Sequence, residues 1–262
     1  ILKKTNADVL ILDVRDDLKK EDIIHLKKIN NLKVVTIDDN EDKRLETDLA
    51  LYPPVPQLDK MKWSGYKGEL CVGWEYAIVR EEFSKEFLKP VNVIPEVFVS
   101  MGATDEKNMT QSVIRSLAMI KTPLRINIVL GSGYSHLSAL NNEINKHKLN
   151  YKIYKNPSNI FDIMIKSDFA IISFGVTAYE LASLGIPSFY ISLSDDHLES
   201  SRLFVVNGLG FSIGIFSPKI IPEIREQVSL YLSNYSEKDF DYSNRNFKIS
   251  NLDKMAKKIL NL

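Results

Sequence analysis

The stretch with the most chemical content is Ser173-Phe-Gly-Val-Thr-Ala-Tyr-Glu180, a G-x-T-x-x-E pattern directly after the apolar run Asp168-Phe-Ala-Ile-Ile-Ser173. A glycine at a strand-to-helix turn lets the backbone approach a ligand, and the first amides of the following helix form a natural anion site. On this reading Gly175, Val176 and Thr177 meet a phosphate, and Glu180, one turn further in, reaches a ribose hydroxyl beside it. The same spacing also describes a capping box, with Thr177 as N-cap and Glu180 three residues on. The two readings are compatible, because a cap leaves other first-turn amides free.

Two more loops have the same placement. Ser100-Met-Gly-Ala-Thr-Asp-Glu-Lys-Asn-Met-Thr110 carries Gly102 for a tight turn and Asn108 in the first turn of a helix; its plainer reading is a loop in which Thr104 or Asp105 caps that helix. Leu193-Ser-Asp-Asp-His-Leu198 offers Asp196 and His197 for sugar hydroxyls or proton movement, against a plainer reading with Asp195 as N-cap and His197 solvated. Gly131-Ser-Gly133 lacks the third glycine and the later acid of a dinucleotide fingerprint and reads as a turn. Asp13, Arg15, Asp16 and Asp17 read as capping and solvated ion pairs at a strand end. The four histidines do not fall at metal-ligand spacing, with His25 and His147 in charged helical stretches, and no metal or cofactor is expected. Neither a G-x-S-x-G elbow nor a Walker A sequence occurs.

These loops need elements to hold them. Asp8–Asp13 and Lys33–Asp38 read as buried strands flanking a charged helix at about 18–30, a βαβ crossover. Tyr52-Pro-Pro-Val-Pro-Gln57 reads as a loop, since proline fixes φ and removes donors. Glu69–Gly73 and Tyr76–Arg80 follow, and Lys89-Pro90 reads as a junction. Beyond it strands at 95–100, 125–130, 151–154, 168–173 and 188–192 alternate with helices at about 106–121, 135–147, 159–165 and 177–184. A last helix near 220–232 carries Ile221, Ile224, Val228 and Leu232 on one face. This alternation predicts a doubly wound parallel α/β sheet, whose ligands bind beyond the carboxyl ends of the strands.

The 262 residues suffice for two domains with real cores, expected at 1–90 and 91–262. Lys plus Arg equals Asp plus Glu, 34 each, so no general affinity for nucleic acid or an anionic membrane is indicated. The single cysteine, Cys71, excludes a disulfide framework and fits a reducing, cytoplasmic setting. No run is long and apolar enough to span a bilayer. No signal peptide is visible, and a chain that opens Ile1-Leu-Lys-Lys rather than with Met reads as part of something longer.

In order along the chain, Ser100-x-Gly102-x-x-Asp105-x-x-Asn108-x-Thr110, Gly175-x-Thr177-x-Tyr-Glu180-Leu-x-x-Leu-Gly-Ile-Pro187 and Leu193-x-Asp195-Asp196-His197 resemble the C-terminal domain of the pseudaminic-acid-pathway UDP-sugar hydrolases and their spore-coat-polysaccharide SpsG-like relatives, with MurG-type glycosyltransferases more distant. Gly73-Trp-Glu-Tyr76-Ala-Ile-Val-Arg80-Glu-Glu-Phe83 is similar to the segment leading out of that family's N-terminal domain, and Asp13 and Asp38-Asp39 match its acidic strand ends. The resemblance covers residues 8 to about 215. It implies a GT-B fold: two Rossmann-like parallel-sheet domains, the N-terminal one incomplete in this chain.

It also implies a UDP-sugar ligand, with Gly175 and Thr177 at the diphosphate and Glu180 at the ribose. Gly102, Asp105, Asn108, Asp196, His197 and Tyr76 would line a cleft or contact the sugar. The family reaction is hydrolysis of UDP-2,4-diacetamido-2,4,6-trideoxy-β-L-altropyranose. A glycosyltransferase acting on a UDP-sugar, and a non-catalytic nucleotide-sugar-binding part of a larger fusion, are the alternatives. Three departures stand out. Met101-Gly102 replaces Gly-Gly, Asp196-His197 replaces Asn-Gln, and nothing matches the family's G-x-G-H-like loop. No catalytic residue is therefore assigned, and association with a missing N-terminal segment is expected.

Overall fold

The computed structural model describes residues 7–13, 17–29, 31–85, 92–234 and 249–262. The chain divides into two compact units: residues 1–79 together with 248–262, and residues 80–247. Contacts thus draw the boundary about ten residues before the expected one and return the C-terminal residues to the first unit. The expected junction at Lys89-Pro90 lies outside the described residues, as do Arg15 and Asp16.

The first unit contains a parallel sheet in the order β1 (Val9–Leu12), β2 (Lys33–Ile37), β3 (Leu49–Tyr52), β4 (Glu69–Val72). The charged helix α1 (Lys20–Lys28) covers one face through Ile23 and Leu26, packing with Leu12, Leu32 and Val34. Its start is fixed by Asp22, whose Oδ2 accepts from the amide of Lys19 at 2.8 Å. β3 is a strand absent from the sequence reading. It is only four residues long, and all four, Leu-Ala-Leu-Tyr, are buried, so it has no alternation to betray it. Its last residue, Tyr52, opens the proline-rich loop.

In the second unit six parallel strands take the order β7 (Asn150–Lys155), β6 (Arg125–Leu130), β5 (Glu96–Ser100), β8 (Phe169–Ser173), β9 (Ser188–Ser192), β10 (Gly210–Ile215). The helices are α2 (Met109–Leu117), α3 (Leu137–Asn145), α4 (Phe161–Met164), α5 (Val176–Ser183), α6 (Asp195–Val206) and α7 (Ile221–Ser233). Val97, Val99, Ile126, Ile128, Phe169 and Ile171 of the sheet meet Val113, Ile114 and Leu117 of α2 and Ile224 and Val228 of α7 in one continuous core. The β-branched runs are fully covered, as a parallel sheet with helices on both faces requires. β10 is a further element the sequence reading did not place, and α6, whose start is one of the two readings of Asp195-Asp-His197, runs on to Val206.

The last helix, α8 (Leu252–Leu260), belongs to the first unit. Met255 packs with Val35, Leu49, Leu51, Cys71 and Tyr76. Lys254 Nζ lies 2.8 Å from Glu75 Oε1, and Lys258 pairs with Glu69. Among the described residues no helix is long and apolar enough to cross a membrane.

Candidate functional site

The order of the second sheet decides where a ligand would bind. Winding runs outward from β5 to β6 and β7 on one side and, through β8, to β9 and β10 on the other. Winding reverses between β5 and β8, and a crevice opens beyond the carboxyl ends of strands at such a switch point. The two loops singled out first in the sequence are the ones that leave β5 and β8.

The β5 loop is held in shape by residues on several sides. Gly102 adopts φ +86°, where an L side chain is strained, and a Cβ there would lie 3.6 Å from Ser173 Oγ at the end of β8, so the two loops are neighbours. Asp105 is buried, and its two carboxylate oxygens accept from the amides of Met109 at 2.7 Å and Thr110 at 2.9 Å. Asp105 thereby satisfies the start of α2. Burial raises its pKa, and the bonds from Met109 and Thr110 oppose that. Asn108, at φ +49°, sits immediately before the helix. Its amide nitrogen donates to Gln111 Oε1 at 2.7 Å, and its oxygen accepts from Tyr134 OH at 3.2 Å. Burial pushes that phenol up to about 12. Asp105 and Asn108 are therefore both engaged in shaping the loop.

Gly131 and Gly133, read from sequence as a turn, brace the same loop. A Cβ on Gly131 would fall 2.3 Å from the carbonyl oxygen of Ala103, and Gly133 N donates to that oxygen at 3.1 Å. Only glycine allows so close an approach of two loops.

The β8 loop departs from the capping-box expectation. The N-cap is Gly175, the helix starts at Val176, and Thr177 is its second residue, with no side-chain cap bond at this terminus. The first bond of the helix runs from Ala178 N to Gly175 O at 2.9 Å, which leaves the amides of Val176 and Thr177 ahead of it. Gly175 is fully extended, and a Cβ there would meet nothing within 4 Å, so the backbone edge faces open space. Glu180 is buried and turned to Arg80, whose Nε and Nη2 both reach Oε1, at 3.0 and 2.9 Å. Burial raises the Glu180 pKa, and the Arg80 guanidinium opposes that. Arg80 is the functional candidate that sequence reasoning missed. Its signal, a lone cation closing the run Tyr76-Ala-Ile-Val, points to no partner a hundred positions away.

At α6 the cap is Ser194, not Asp195: Ser194 Oγ accepts from the amide of His197 at 3.3 Å. His197 is part-buried rather than solvated, its ring 6.3 Å from that of Phe174. Its Nδ1 and the hydroxyl of Ser192 at the end of β9 are buried without a hydrogen-bond partner among the described residues. Asp196 is exposed beside it. Tyr76 is a core residue of the first unit, 5% exposed, with the Lys254 ammonium 5.2 Å from its ring centre. So the second unit gathers Gly102, Gly175, Val176, Thr177 and Glu180 by its topology, while Tyr76 packs elsewhere. Among the described residues no group of three or more His, Cys, Asp or Glu could hold a metal ion.

Two parallel sheets, the second wound outward from its centre, define an α/β protein of the GT-B class. The chain aligns over its whole length with MurG of Acinetobacter baumannii, at a TM-score of 0.69 and 12% identity, covering 75% of that chain. No protein-family model matches. By sequence it is 21% identical to the spore coat polysaccharide biosynthesis protein SpsG of Bacillus subtilis, over 89% of this chain and 70% of that protein. It is 27% identical to the UDP-2,4-diacetamido-2,4,6-trideoxy-β-L-altropyranose hydrolase of Campylobacter jejuni, over 66% of this chain and 62% of the hydrolase. An uncharacterized protein of Methanocaldococcus jannaschii is 33% identical over 71% of this chain, which spans only 40% of that protein. By sequence the chain is thus similar to SpsG and to the UDP-sugar hydrolase, and by fold it is similar to MurG.

Proposed function

We propose that the second unit binds the UDP of a nucleotide sugar at the switch point, and that the protein of which this chain is part hydrolyses the sugar–phosphate bond. The observation that carries the binding half is the meeting of two strand-end loops where winding reverses, one ending in an open glycine edge and two helix amides. Gly175, Val176 and Thr177 would receive the diphosphate, and Glu180 the ribose. Gly102 would border the nucleotide, and Asp196 and His197 would face the sugar. Asp105 and Asn108 would act indirectly, by shaping the β5 loop.

The hydrolytic half draws its support from the named Campylobacter relative. Release of UDP needs charge stabilised on the leaving diphosphate and a water positioned and deprotonated. The helix amides can serve the first need. No residue of this chain is assigned to the second. Glycosyl transfer is the competing reading, favoured by the likeness to MurG-type folds, in which an acceptor hydroxyl replaces water.

Two measurements test this. Calorimetric titration with UDP should show binding of equal affinity in magnesium and in excess chelator, because amides and the helix dipole neutralise the diphosphate. Absence of binding sinks the site, and a strict need for a divalent ion sinks its metal-free form. Assaying UDP release from the diacetamido-sugar nucleotide with and without candidate acceptor sugars separates the reactions: release that depends on acceptor favours transfer.

A further inference from the structure

We infer that Arg80 is a positioning residue for nucleotide recognition: it grips one oxygen of Glu180 and leaves the other to select a ribose over a deoxyribose. The inference rests on the proposed UDP site and deepens it.

The geometry is asymmetric. Arg80 Nε and Nη2 both converge on Glu180 Oε1, at 3.0 and 2.9 Å. Among the described residues no hydrogen bond or ion pair falls on Oε2. A two-pronged grip on a single oxygen fixes the carboxylate's orientation while leaving the second oxygen as an acceptor. An ionised carboxylate oxygen can only accept, and the two adjacent hydroxyls of a ribose are donors that suit it. Arg80 also supplies the charge that keeps the group useful. Glu180's side chain is 8% exposed, so without a cation it would tend to neutralise.

Arg80 is itself held from two further directions. Its guanidinium lies 4.9 Å from the ring centre of Phe83, and Nη1 lies 3.5 Å from Glu82 Oε1. Phe83 is buried edge-on against Phe161 of α4, centroids 5.5 Å apart. Glu81–Ser84 form a single 3-10 turn, so Arg80 and its two local supports come from one short segment. Its side chain is 46% exposed, more than filling a core gap would require. The segment therefore delivers a cation to the one buried carboxylate of α5, one helical turn from the open glycine edge.

The test uses the full chain and three probes: UDP, 2′-deoxy-UDP and inorganic pyrophosphate, each titrated calorimetrically against wild type, Arg80→Met, Arg80→Lys and Glu180→Gln. Wild type should bind UDP roughly tenfold more tightly than the deoxy compound, the worth of one charge-assisted hydrogen bond. Arg80→Met should erase most of that ratio and leave pyrophosphate affinity unchanged. Arg80→Lys should recover part of it, and adding Arg80→Met to Glu180→Gln should cost little more. A preserved ratio in a folded Arg80→Met protein overturns the inference. So does an equal loss for pyrophosphate, which would put Arg80 on the phosphates instead. Failure of wild type to bind UDP at all would overturn the proposed site as well, which separates the two failures.

Discussion

Gly175 and Thr177 show how a correct local pattern can carry an incorrect local detail. The sequence marks the turn because a glycine and a polar residue follow a buried run, and that much survives. It cannot tell which residue begins the helix, since Gly175 and Thr177 both serve as N-caps elsewhere. The structure chooses Gly175, which frees Glu180 from a local bond and gives it to Arg80. Pairing over a hundred residues leaves no spacing to read. The glycine supplies a sharp test of the nucleotide site. Because a Cβ added there meets no atom within 4 Å, Gly175→Val should fold with an unchanged melting temperature. It should nevertheless lose UDP binding by at least roughly tenfold, through blocked approach to the amides. Unchanged affinity in calorimetry on the folded variant would move the phosphate site elsewhere.

At the scale of elements, α2 and α3 flank the β5 loop and are clamped to each other by a buried acid. Glu143 on α3 takes Arg115 of α2 on both oxygens, at 3.0 and 2.7 Å, and Gln111 at 3.2 Å. Lys146 and His147 lie beside it, at 3.5 and 3.4 Å. The Arg115 guanidinium first, with Gln111 and His147 assisting, lowers the Glu143 pKa to about 2. A depressed carboxylate pKa stabilises the fold above its ordinary value near 4.5 and forfeits that stability as pH falls toward 2. Glu143→Gln should therefore cost about 1–3 kcal/mol at pH 7 and flatten the stability curve between pH 4.5 and 2. Denaturant melts at several pH values check both, and parallel curves for the two proteins would refute the clamp. Strands β5, β6, β8 and β9 were legible because each is a largely buried apolar run between helical patterns. The extent of α6 was not legible, because Asp195, Asp196 and His197 suit a helix N-terminus and a polar loop equally well and no reading carried the helix beyond them. β10 was not either: Gly210-Phe-Ser-Ile-Gly-Ile215 carries two glycines, and its pairing with β9 shifts register between Ser212 and Gly214.

For the molecule as a whole, what sequence order conceals is that one unit is made from both ends of the chain. An α/β alternation read left to right assigns every element to the domain it follows. α8 breaks that rule through Met255 in the first unit's core and its two lysines on Glu69 and Glu75. Removing residues 249–262 should destabilise the first unit by at least about 2 kcal/mol, from the apolar surface of Met255, Ile259 and the strands beneath. Hydrogen exchange should register this as lost protection in β2 and β3, with the amides of β5 and β8 unaffected. Undiminished protection in β2 and β3 would show that the helix contributes nothing to that unit.

The partnership of Lys254 with Glu75 spans 179 positions, and this sets a timetable for synthesis. At about 5–20 residues per second, a ribosome needs roughly 10–35 s to make the intervening chain. Throughout that interval the first sheet waits without its last helix, while the second unit is translated whole and can fold. Residues 248–262 thus complete a unit whose strands are made long before them, and a chain that stops short of Lys248 should be chewed by protease between residues 7 and 79 while residues 92–234 resist.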